Sequence, residues 1–149
     1  MTTEWIWDDP EIPHDELFLR RIPRKPAFVV PNLVTKQLEV KAAALRFDDD
    51  GMSVTGSRIL ADEGHDRGDF CDWRDYTAVE FPAGAARATE EAGVIYDPVD
   101  DHPQGNAFGK AHSLVHPRTP NPDKVVRRNI QAAIAAQCRW VDEDPYKPG

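Results

Sequence analysis

The stretch NPDKVVRRNIQAAIAAQCRWV, Asn121 to Val141, decides the helical half of the fold. Asn121 can cap a helix start, and Pro122 suits a first turn, where its missing N–H is not needed. Val126, Ile130, Ala133, Ile134 and Val141 recur at helical spacing, so one face is buried. Lys124, Arg128 and Arg139 fall on the other face, with Arg127 at its flank. The spacing predicts one long C-terminal helix. A second, short helix is predicted over PAGAARATEEAG (82–93), opened by Pro82, stopped by Gly93 and apolar almost only through alanine.

Upstream the pattern shortens to that of strands. ELFLRRI (16–22) and AFVV (27–30) are apolar runs, and Pro23, Pro26 and Pro31 confine them to edges or bends. NLVTKQLEVKAAALRF (32–47) fits a helix or a strand equally. In LRFDDDGMSV (45–54), Leu45 and Phe47 alternate with Arg46, and Met52 and Val54 with Ser53. Gly51 can take a positive φ after the aspartates, so a β-hairpin is expected. A calcium loop is the rival, but neither the D-x-D-x-D-G spacing nor a twelfth-position glutamate is present. YTAVEF (76–81), with Thr77, Val79 and Phe81 on one side, and VIY (94–96) read as further strands. The expected class is α+β: a small mixed or antiparallel sheet with a long C-terminal helix and one short helix. The 149 residues divide into an arm (1–15), one domain (16–141) and a tail (142–149).

Charge is segregated along a chain whose formal net charge is -8. Residues 1–19 hold six acidic residues and no lysine or arginine, whereas residues 48–101 hold 15 acidic against 4 basic. From Lys110 to Arg139 the balance reverses, to six basic residues against Asp123 alone. An internal electrostatic fit or a partner of opposite charge follows; so acidic a chain repels nucleic acid at long range. The arm sets Trp5, Ile6 and Trp7 among carboxylates, so it either folds back or docks on another protein. The opening residues have no basic or apolar signal-peptide regions, and no apolar run nears the ~20 residues of a membrane span. Cys71 and Cys138 form no CxxC pair, which fits two reduced thiols in a cytoplasmic protein rather than disulfides or a zinc ribbon.

Candidate chemistry is sparse. Around NAFGKAHSLVHP (106–117), Phe108, Lys110, His112, Leu114 and His116 alternate with smaller residues, a strand-like period of two closed by Pro117. On a strand His112 and His116 stand roughly 13 Å apart, too far to share a metal ion. No metal and no cofactor is expected. His112 alone could act as a general base. GNAFGK matches no phosphate loop. GHDRGDFCDWRD (64–75) crowds His65, Asp66, Asp69, Cys71 and Asp72 into one loop, so His65, Asp66 and Cys71 are further catalytic candidates, although their spacing matches no nucleophile motif. Binding candidates are Trp5 and Trp7 of the arm and Lys124, Arg127, Arg128 and Arg139, with Trp140, on the basic helix. Cations in the first turns oppose the helix dipole and call for a nearby carboxylate or phosphate.

DELFLRRIP, DDDGMSV and GNAFGKAHSLVHP together resemble scattered segments of short uncharacterised bacterial proteins, which carry D-x-L-Y-R-R-I-like, G-L-S-V-like and N-P-A-H-A-like patterns. The resemblance implies a bacterial, cytoplasmic origin and brings no activity with it. The leading expectation is an accessory or adaptor protein that binds a protein partner through charged surfaces and the aromatic arm. A hydrolase or transferase using His112 with carboxylates of 62–75 or 97–101 ranks second. An acidic immunity or antitoxin-like protein ranks third, and nucleic-acid binding below all three.

Overall fold

A computed structural model of the chain describes residues 5–25, 27–31, 33–35, 38–48 and 51–141. In chain order these form β1 (Leu17–Pro23), β2 (Val29–Pro31), β3 (Leu38–Val40), β4 (Met52–Gly56), α1 (Ser57–Asp62), β5 (Tyr76–Pro82), α2 (Ala83–Arg87), β6 (Ala92–Tyr96), α3 (Asn106–Ala111), β7 (His112–Pro117), α4 (Lys124–Gln137) and β8 (Arg139–Trp140). Single 3₁₀ turns occupy Ala42–Ala44 and Arg67–Asp69. Six strands make one antiparallel sheet in the order β6-β7-β4-β1-β5-β8, and β2 and β3 form a separate pair. The class is α+β, with α4 as its long helix. No helix among the described residues is long and apolar enough to cross a membrane.

Alternation along the strands divides the core in two. Phe18, Ile22, Val54, Val79, Phe81, Val94 and Val115 point to one side, where Ala83, Ala85 and Ala86 of α2 and Ile130 and Ile134 of α4 meet them. The alanines let α2 lie close to α4. On the other side Leu19 and Ala78 meet Leu60 of α1, Phe70, and Phe108 and Ala111 of α3. Burying such side chains contributes about 1.5–3 kcal/mol each. β5 is thus covered on both faces, buried from Thr77 to Phe81.

Two strand expectations are corrected. Residues 106–111 are helical, and the strand begins only at His112. Phe108 and Ala111, three apart, share the buried side, and a short apolar run reads equally well at either period. Gly109 is required there because an added Cβ would overlap the carbonyl of Val99, whose N–H bonds Gly109 O at 3.0 Å. The hairpin over 45–54 shrinks to one bridge, Asp48 with Gly51, where Gly51 has φ +98°. Leu45 and Phe47 enter the core without pairing, and β4 pairs with β1 and β7 instead. Asp49 and Asp50 lie outside the described residues.

The last helix starts later and stops earlier than its spacing implied. Asp123, not Asn121, is the cap, its carboxylate accepting from Val126 N at 3.0 Å, while Asn121 takes φ +51°. Cys138 turns extended, and Arg139 and Trp140 then pair with Glu80 and Val79 on the open edge of β5. Val141 continues along it, its N–H on Ala78 O. Arg139 and Trp140 therefore do not belong to the basic helix face. Residues 57–75 contain α1 and the 3₁₀ turn.

The N-terminal segment lies along the opposite edge. Asp9 N donates to Val94 O, and Asp8 Oδ1 accepts from Val94 N, each at 2.9 Å. Arg87 gathers the segment from beneath: Nε meets Asp8 Oδ1 at 2.9 Å, Nη1 Ile12 O at 2.9 Å, and Nη2 Asp9 O at 2.8 Å. Gly93 leaves the room that the Asp8 side chain occupies. Residues 1–4 and the tail expected at 142–149 lie outside the described residues.

Candidate active site

The β6–β7 ladder runs out at the loop that supplies the site. Tyr96 pairs with Ser113, and the next step brings Asp97 N onto His112 O at 2.9 Å. Asp97 then closes on the ring of His112: Nδ1 lies 2.8 Å from the Asp97 carbonyl and 3.2 Å from its carboxylate Oδ2. Both oxygens only accept, so Nδ1 carries a proton, and in the neutral ring the lone pair is on Nε2. Nε2 has no hydrogen-bond partner among the described residues.

Ring and loop border a groove of about 240 Å³ above the sheet, lined among others by Leu19, Arg21, Ser53, Thr55, Phe70, His102, Gln104 and His112. Thr55 sits directly across from His112 in the β4–β7 register. The loop between β6 and α3 forms the far wall. There Gln104 anchors to Phe70 O at 2.6 Å, and His102 stacks on Phe108 with centroids 6.0 Å apart. His102 Nδ1 accepts the backbone N–H of Gln104 at 3.0 Å, which places its own proton on Nε2. Burial, then His112 and Arg21, hold the pKa of His102 below the usual histidine value, so it is neutral at pH 7. The two ring centroids are 6.5 Å apart. A base and a neutral donor thus share one small groove, with the exposed Arg21, whose guanidinium lies 4.3 Å over the Tyr76 ring, at its rim.

The remaining candidates disperse. His65 Nδ1 faces Asp69 Oδ2 at 3.4 Å, and its ring lies 5.3 Å from Phe108. Asp66 caps the 3₁₀ turn reciprocally with Asp69. Cys71 directs Sγ toward Thr77 O at 4.0 Å. Trp5 donates Nε1–H to Pro117 O at 3.1 Å and stands edge-on to His116, while Trp7 takes Arg118 over its ring. His112 and His116 share a face of β7 but serve different neighbours. Lys124 and Arg128 are exposed on α4; Arg127 Nε donates to Pro122 O at 2.8 Å. Arg139 is exposed and Trp140 half-buried on β8.

A roomier hollow of about 600 Å³ flanks α1 and is walled by Glu16 and Glu80. Glu16 already takes Arg58 Nε at 2.9 Å and the Tyr96 hydroxyl. Glu80 takes Arg67 Nη1 at 2.9 Å and the Ser57 hydroxyl at 2.7 Å. Both carboxylates are thus already engaged by an arginine and a hydroxyl of this chain. Comparison with family models, curated proteins and solved structures found no match to this chain.

His112 and the 97–101 loop were candidates on the sequence alone; His102 and Arg21, which line the same groove, were not. Nothing in the spacing of those two residues marks them: His102 is placed by the return of the 97–105 loop, and Arg21 by the register of β1.

Proposed function

We propose that the protein is a small acid–base enzyme of the hydrolase or transferase class, with Nε2 of His112 as its general base. The observation that supports it is the double hold of Asp97 on Nδ1 beside a groove. That hold orients the ring and favours the imidazolium that forms when Nε2 takes a proton from water or a substrate hydroxyl. His102 Nε2–H, uncharged, can donate to an oxygen on which negative charge develops. The test is turnover of a panel of chromogenic esters and phosphoesters, with the ring tautomers read by ¹⁵N NMR. Turnover that falls about 10²-fold or more in H112N supports the reading. Turnover unchanged in H112N, or an Nε2–H tautomer at His112, overturns it.

A second reading, an accessory protein that meets its partner through the arm, draws on the exposure of Trp5 (43%) and Ile6 (63%) on the outer side of that segment. The two part on the W5A/I6S double variant: only the second makes it lose a partner while groove chemistry stays intact. The acidic-surface reading has less support, because Asp8, Glu16, Glu63 and Glu80 each face a lysine or arginine of this chain.

A further inference from the structure

One hydroxyl in the groove has no part in the acid–base reading. β1 and β4 pair over only two positions, Phe18 with Gly56 and Leu19 with Thr55, and Thr55 in turn faces His112 on β7. Leu19, Thr55 and His112 therefore form one row across the sheet, on one face of it. The carbonyl of His112 is spent on Asp97 N, toward β6, so its pair with Thr55 on the other side exchanges no backbone hydrogen bonds. Pairs of that kind bring side chains closest, with Cα atoms roughly 4.5 Å apart. Thr55 is only 8% exposed and lines the groove, yet its hydroxyl has no hydrogen-bond partner among the described residues. Unlike Thr77 Oγ1, it still reaches solvent. Buried hydroxyls ordinarily find a partner, and one left open beside an unpartnered base marks a place for a ligand oxygen. With Nδ1 turned to Asp97 on the β6 side, Nε2 lies across the ring, toward β4 and the groove. Nε2 of the neutral ring only accepts, Oγ1 can donate or accept, and the two are not bonded to each other. One oxygen set between them satisfies both. Direct attack by Oγ1 has less support, because it is not bonded to the base that would activate it.

We propose, building on the acid–base reading, that Thr55 positions the attacking oxygen: a water or substrate hydroxyl hydrogen-bonds to Nε2 of His112 and is held from the other side by Oγ1 of Thr55. As that oxygen bonds the electrophilic carbon or phosphorus, its proton passes to Nε2. The imidazolium then returns the proton to the departing group, and Thr55 keeps its own throughout.

The experiment is a high-resolution crystal structure of the full chain beside those of T55V and T55S, each with and without a methanol soak. In the wild type an ordered water is expected within about 3.2 Å of both Nε2 and Oγ1. T55V, of the same shape and suited to a strand, loses it, and T55S keeps it. Replacement of that water by the methanol oxygen supports an acceptor hydroxyl, as in a transferase; a water that methanol does not displace supports a hydrolase. No oxygen bridging the pair, one unmoved in T55V, or Oγ1 bonded directly to Nε2 overturns the role of Thr55 and leaves that of His112 standing. For any chromogenic ester or phosphoester that is turned over, T55V lowers kcat/KM about 10–100-fold and T55S recovers most of it. The pH profile stays where it was, because Asp97 still holds the ring. A rate equal to wild type in T55V likewise overturns the role of Thr55. Absence of all turnover counts against the acid–base reading alone, since the bridging oxygen is observed without it.

Discussion

Asp97 holds the imidazole of His112 through two oxygens at once, its backbone carbonyl at 2.8 Å and its carboxylate at 3.2 Å. The carbonyl belongs to the backbone and survives any substitution at position 97. The tautomer and the electrostatic support of the ring are therefore separable in this protein. On the proposed acid–base role, D97N should keep the Nδ1–H tautomer and lower turnover about 10–100-fold, the range for losing an orienting partner. ¹⁵N chemical shifts of the ring, measured beside the rate, check both halves.

Removing Arg87 releases the N-terminal segment. Its guanidinium joins Asp8, Asp9 and Ile12 and lies mostly buried. R87A leaves the Asp8 carboxylate without its cation and should cost about 2–4 kcal/mol in urea unfolding. R87K, with charge but no fork, recovers only part. Hydrogen exchange at Asp9 N and Val94 N accelerates in both variants, because those two amides sit where the segment meets β6.

G93A tests the same contact sterically. The added methyl would overlap the Asp8 side chain, so the segment must lift or β6 must shift. A loss of about 1–3 kcal/mol is expected, as for overpacking elsewhere. Trp5, which bonds Pro117 O, reports the displacement through its fluorescence.

His102 makes stability depend on pH in a defined direction. Its folded pKa is depressed, by burial first and then by His112 and Arg21, so the unfolded chain takes up the proton more readily. The contribution is fully present above the ordinary histidine pKa of about 6.5 and is lost as pH falls through the lower, folded value. H102Q should flatten the decline in urea midpoint between pH 7 and pH 5. An unchanged slope would assign that decline to other groups.

Cys138 supplies a control on the core. Burial pushes its thiol up to about 12, so the thiolate that alkylates is nearly absent at pH 8. Iodoacetamide should leave Cys138 unmodified in the folded protein and label it rapidly in urea, as read by peptide mass spectrometry.

What the sequence made legible was burial more than connection. Ile130 and Ile134 marked the inner face of α4, and Thr77, Val79 and Phe81 one face of β5, because a side chain's period is local information. Where α4 ended was not local: Arg139 and Trp140 leave the helix because β5 has an open edge for them, and that edge is set by residues about 60 positions away in the chain. Phe108 misled because alternation and a helical i, i+3 pair coincide over six residues. At the candidate site, His112 and the 97–101 carboxylates could be named together as elements of one scheme. That Asp97 was the member within reach depended on the β6–β7 register, and His102 on a loop path that no short pattern encodes.

The two-position contact between β1 and β4 separates two better-knit halves. β1 pairs with β5 over seven positions, and β7 joins β6 over five and β4 over four. Arg21 belongs to the first half, His112 to the second. A small rotation about that short joint would sacrifice few backbone hydrogen bonds, yet it would change the spacing between cation and base directly. The shortest ladder of the sheet thus lies beside the groove, whose lining is drawn from both halves.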